Sequence, residues 1–81
     1  MIFKAIPATR YYEPDSPKPI DGITSTTRGH EIILRFLQPR TVVSTDRLRL
    51  SGSIDAEMKT DDLLCLVYDG ASWHETSRVV K

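Results

Sequence analysis

From Ile20 onward, apolar and polar residues alternate with a period of two, the pattern of half-buried β-strands rather than of helices. Glu31 to Leu37 sets Ile32, Leu34 and Phe36 on one face and Glu31, Ile33, Arg35 and Leu37 on the other. The first face belongs in a core, and the second is mixed enough to be partly covered. Thr41 to Ser44 is a short β-branched strand, and Arg47 to Leu50 alternates cleanly, with Leu48 and Leu50 inward. Ile54 to Met58 is too short for an independent helix and reads as a short strand or loop.

The strongest local signal lies between Asp61 and Val79. Leu63 to Tyr68 is an apolar strand, Asp69-Gly70 supplies residues that tolerate the positive φ of a tight turn, and a second strand opens at Trp73. In the first of these strands both faces are apolar, because Leu63, Cys65 and Val67 oppose Leu64 and Leu66. Such a strand is covered on both sides, either inside a sandwich or by another subunit.

The N-terminal part reads differently. Met1 to Ile6 is a short strand with Ile2, Lys4 and Ile6 opposing Phe3 and Ala5, and Pro7 ends it by removing a backbone donor. Residues 7–19 hold four of the five prolines and no apolar periodicity, so residues 1–19 form a strand followed by an extended, proline-rich arm, and residues 20–81 form the β domain. Tyr11 and Tyr12 stand out in the arm. On an extended chain they point to opposite sides, one to dock and one to stay wet. Ile20 to Ile23 reads as a turn around Asp21-Gly22, and Thr24 to Thr27 has strand propensity. Glycines 29, 52 and 70 recur about every twenty residues, a spacing compatible with stacked solenoid coils as well as with a small sandwich or barrel. The leading expectation is an all-β fold, a small antiparallel sandwich or barrel of about six short strands.

Length and charge narrow the picture. A chain of 81 residues is one domain, and at this size only about 60% of the unfolded surface is buried, so a partner chain would help. Eleven basic and eleven acidic residues cancel and are interleaved. That argues against a nucleic-acid surface and a polybasic membrane patch. The single cysteine, Cys65, fits a reducing compartment. No signal-peptide core or membrane-length apolar run is present, which predicts a chain made in the cytoplasm with no membrane insertion.

Candidate chemistry is thin. His30 beside Glu31 and His74 beside Glu75 lack the spacing of metal modules, and on a strand His74 and Glu75 point to opposite faces. Cys65 and His74 lie on facing strands, but Cys65 is flanked by Leu64 and Leu66 and no oxyanion-hole loop accompanies it, so it reads as a packing residue. Asp61, Asp62 and Asp69 sit where turns are expected. Neither a phosphate-binding loop nor a nucleophile elbow occurs. The expectation is a non-enzymatic protein with no cofactor and no metal site.

One resemblance goes further. The series Gly29-x-x-Ile32-x-Leu34-x-Phe36, Leu48-x-Leu50-x-Gly52, Asp62-x-Leu64-x-Leu66-x-Tyr68-x-Gly70 and Trp73-His74-Glu75-x-Ser77-Arg78 resembles the C-terminal β region of phage tail-fibre and tailspike proteins. The resemblance implies a virion structural or attachment domain that assembles as a homotrimer, with strands interwoven about a common axis. Its partners would be other copies of itself, and beyond them another virion protein or a host surface glycan. Leu63, Cys65 and Val67, with Trp73, Tyr11 and Tyr12, are then the candidate partner-binding residues. The family's long enzymatic or receptor-binding body has no counterpart in these residues, so no enzymatic role carries over. The alternative, from the residues alone, is a monomeric carbohydrate- or peptide-binding β module using exposed aromatics, although aromatic residues make up only 7% of the chain.

Overall fold

The two-residue alternation becomes nine short strands around one core, in a computed structural model that describes residues 1–81. They are β1 (Ile2–Phe3), β2 (Tyr11–Tyr12), β3 (Gly22–Ile23), β4 (Glu31–Arg35), β5 (Arg40–Val42), β6 (Leu48–Arg49), β7 (Ala56–Met58), β8 (Leu63–Tyr68) and β9 (Trp73–Val79). A 3-10 turn at Ser51–Ser53 separates β6 from β7. Sheet A is β1-β3, sheet B is β2-β4-β8-β9-β6, and sheet C is β5-β7, joined by a bridge from Ile20 to Val42.

The chain visits these sheets in the order A, B, C and then A, B, C again. Ile2 pairs with Gly22, Tyr11 with Ile33, and Ile20 with Val42, all parallel and all at offsets of twenty to twenty-two residues. This is a solenoid-like winding of two circuits. After β5 the direction reverses: β7 lies antiparallel on β5, β8 on β4 and β9 on β8, and β6 joins β9 in parallel. An antiparallel cap therefore closes a parallel start. The wholly antiparallel expectation is corrected, because alternation with period two is common to both ladder types. No barrel closes.

Three local expectations also change. Ile20 to Ile23 is no turn. Gly22 and Ile23 pair with β1, and a Cβ on Gly22 would make only ordinary van der Waals contact, 3.5 Å, with the Ile2 side chain. Thr24 to Thr27 forms no strand, since Thr24 Oγ1 accepts from the Ala5 N–H at 2.9 Å and so replaces a ladder bond. Residues 1–19 are not set apart from the rest: Phe3 and Ala5 belong to the same core as Ile20, Leu34 and Trp73. The proline-rich segment docks along its own molecule through Arg35 to Glu13 (2.5 Å), Gln38 to Asp15 (2.8 Å) and Arg40 Nε to the Lys18 carbonyl (2.5 Å).

The hairpin is as its sequence suggests. Asp69 Oδ1 accepts from the N–H groups of Ala71 (2.8 Å) and Ser72 (2.7 Å), and Gly70 takes φ +100°. Beyond it, an extra residue, Thr76, bulges between the Cys65–Ser77 and Leu66–Glu75 pairs. The bulge reverses the side-chain parity of β9 after Glu75, which brings Glu75 and Arg78 to the same side of the strand.

Candidate functional site

The outer face of sheet B carries a group of exposed and half-buried apolar residues brought together from four strands. Registers align Tyr11, Ile33, Cys65 and Ser77 in one row across four strands. On one side lies the row Arg35, Leu63 and Val79, and on the other Glu31, Val67 and His74. Tyr11 is 51% exposed, Ile33 37% and Val79 44%, while Leu63, Cys65 and Val67 are half-buried. The central row is apolar from Tyr11 to Cys65 and ends in Ser77 on β9, where Val79 of the next row supplies the apolar surface. Arg35, paired with Glu13 and Asp61, bounds the group at one end, and Glu31 with the His74–Asp69 pair bounds it at the other.

Of the residues singled out from sequence, four lie on this face: Tyr11, Leu63, Cys65 and Val67. Tyr12 and Trp73 do not. Tyr12 turns inward, packs edge-on against Phe3 at 5.1 Å and uses its hydroxyl to donate to the Thr9 carbonyl at 3.1 Å and accept from the Ile6 N–H at 2.7 Å. Trp73, 1% exposed, fills the core, and its indole N–H donates to the Thr24 carbonyl at 3.1 Å. Its pairing with Tyr68 across the hairpin dictates this, because Tyr68 is itself on the inner face. Trp73 and Tyr12 therefore lie off the outer face of sheet B, and no platform of exposed aromatics forms there.

The groups that looked chemical have structural occupations. His30 Nε2 lies 2.7 Å from the Thr9 carbonyl, so that nitrogen carries the proton, and Nδ1 accepts from Thr26 Oγ1 at 2.8 Å. The ring thus ties the proline-rich segment to the loop before β4. His74 Nε2 bonds Asp69 Oδ2 at 2.6 Å, and no hydrogen bond joins it to Cys65. Asp69 is held down to about 2 by the Ser72 and Ala71 N–H groups and then by His74. Asp62 is buried and accepts from the N–H groups of Lys81 (3.0 Å) and Lys59 (2.8 Å), which keep its pKa below the usual carboxylate range. Asp61 pairs with Arg35. No group of three or more His, Cys, Asp or Glu side chains converges on one point, and no helix is long and apolar enough to cross a membrane.

Two features escape sequence reasoning. Arg40 is buried, with Nε on the Lys18 carbonyl, Nη2 against the Met1 sulfur and Nη1 without a partner. Burial lowers its pKa. Its position at the end of Gln38-Pro39-Arg40, a run that reads as a break between strands, gives no hint of burial. The second is the pair formed when Arg78 Nε and Nη2 each donate at 2.8 Å to Glu75, whose Oε1 also accepts from the Ser51 N–H. Burial works against the Glu75 carboxylate, yet Arg78 and Ser51 hold its pKa below the ordinary value. The conspicuous ending Trp73-His74-Glu75-x-Ser77-Arg78 is therefore a closure: Trp73 plugs the core and Glu75 ties β9 to the 3-10 turn.

No protein-family model, curated protein or solved structure matches the chain.

Proposed function

We propose that this chain is a non-enzymatic structural and attachment module of a virion, of tail-fibre or tailspike type, working as a multimeric β scaffold. The observation that carries the multimeric part is the group of apolar residues Tyr11, Ile33, Leu63, Cys65, Val67 and Val79, drawn from four strands on the outer face of sheet B. Such an apolar face on so small a domain has a subunit interface as its default use. The virion part draws on the ending from Asp62 to Arg78 and its likeness to phage tail proteins. Support also comes from the winding of the first two circuits, since solenoids bury their hydrophobic faces by stacking. In the proposed homotrimer each copy covers this apolar group on its neighbour.

A monomeric module that binds sugars through exposed aromatics has less in its favour. Trp73 and Tyr68 are core residues, which leaves Tyr11 as the aromatic with a largely open ring. Light scattering on the purified chain at micromolar concentration tests the proposal. Three protomer masses are expected, and a monomer would overturn the multimeric scaffold.

A further inference from the structure

Two sides of the core carry a third strand and one side does not. Inward side chains stack in columns across the ladders. On sheet B the column is Tyr12, Leu34 and Leu64, and on sheet C it is Ile20, Val42 and Ala56. On sheet A the column is Phe3 and Ile23, and there it stops. Beyond Ile23 lies a cleft of about 560 Å³, between residues 22–25 and residues 45–47, with Tyr68 and Trp73 in its wall.

The backbone of β3 is open on this side. In a parallel ladder a residue turns both its N–H and its C=O toward one neighbour, and the next residue turns both the other way. Phe3 C=O accepts from the Thr24 N–H at 3.0 Å, so Phe3 faces β3 and its register partner Ile23 faces away from β1. Neither backbone group of Ile23 has a partner within the protein. Volume alone does not choose an occupant, since small-molecule pockets run from about 300 to 1,000 Å³. An unpaired donor and acceptor on a strand edge, beside a column short of one apolar residue, do choose: they fit an extended peptide.

We propose that the cleft is a β-augmentation site, in which an extended segment of another polypeptide adds a strand to sheet A beside β3 and sets one apolar side chain onto Ile23, against Tyr68 and Trp73. Asp46 and Arg47 flank the site with one charge of each sign and form no ion pair within the protein, and Asp21, which also lines it, is neutralised by the N-terminal ammonium. Recognition therefore rests on backbone pairing and the apolar anchor, and is insensitive to salt. This site shares no residue with the apolar group on the outer face of sheet B, so it stands or falls apart from the multimeric proposal.

The test is a titration of the isotope-labelled chain with an acetylated and amidated pentapeptide of alternating threonine and valine at millimolar concentration, followed by NMR. The Ile23 amide and the Trp73 indole N–H are expected to shift saturably, with exchange at Ile23 slowing by about tenfold or more. The amides at the other open edges, Ile2 on β1 and Tyr11 on β2, stay unchanged. Ala71→Trp, at an exposed loop position on the cleft rim, abolishes these changes while the folded spectrum persists, whereas Val67→Lys leaves them intact. Absence of a change at Ile23, equal changes at all three edges, or unaltered binding to the Ala71→Trp variant would each overturn the site.

Discussion

At the scale of single residues, Trp73 is the largest side chain in the core and the one whose apparent role changes most between sequence and structure. It resembles a binding aromatic because it follows a turn and opens a polar strand. Its register opposite Tyr68 sends it inward. Trp73→Phe keeps most of the apolar burial but removes the N–H donor to Thr24 and leaves a small cavity. A loss of about 1–3 kcal/mol is expected in chemical denaturation, from an unsatisfied carbonyl and lost packing. Asp62 and Asp69 make a second residue-scale prediction. Both have folded-state pKa values below the ordinary carboxylate value of 3.8. Depressed folded pKa values mean that the unfolded chain binds protons first, so these groups stabilise the fold above about pH 4. Their contribution is lost as pH falls from there toward 2, the folded value of Asp69. The thermal midpoint should decline across that window, and Asp62→Asn should flatten the decline.

At the scale of elements, the hairpin is legible, and the winding is legible only as a spacing of about twenty residues between glycines that suits a sandwich or barrel as well as a solenoid. A six-residue apolar run, an Asp-Gly pair and an aromatic on the far side are local signals, and they fix β8, the turn and the start of β9 together. The parallel pairs Ile2–Gly22, Tyr11–Ile33 and Ile20–Val42 leave no comparable local mark, because side chains alternate identically in parallel and antiparallel ladders. Ile20 to Ile23 was misleading for a related reason: Asp-Gly favours a turn locally, but Gly22 lies under Ile2 as part of a strand. The outer face of β8 was legible as a surface in need of a cover, since Leu63, Cys65 and Val67 are apolar at alternate positions. The contributions of Ile33 and Val79 to it depend on register, which needs the fold. The turn itself yields a prediction. Gly70→Ala imposes a side chain at φ +100°, where L residues are strained, and brings its Cβ within 3.1 Å of Arg28 Nε. The arginine end can move aside, so backbone strain dominates, at a cost of about 1–3 kcal/mol read from denaturant midpoints.

At the scale of the whole molecule, the fold is a short parallel winding stopped by an antiparallel cap, with one sheet face left apolar and the β3 edge open beside a cleft. The cap is held by Trp73 in the core, by Glu75 on Ser51 and Arg78, and by Asp62 on the N–H of Lys81. These interactions close one end of the fold, while the outer face of sheet B has ion pairs at its two ends and leaves the apolar residues between them uncovered within the protomer. That imbalance underlies the claim that the face is an assembly surface. Val67→Lys isolates it. Val67 lies opposite Glu31, so the new lysine gains a cross-strand partner and the protomer keeps its fold, while a charge is set into the apolar group. The decisive measurement is sedimentation velocity of the native chain and of this variant at the same micromolar concentrations. The account predicts a trimer for the native chain and a folded monomer for Val67→Lys; a native monomer, or a variant that sediments as the native oligomer does, would contradict it.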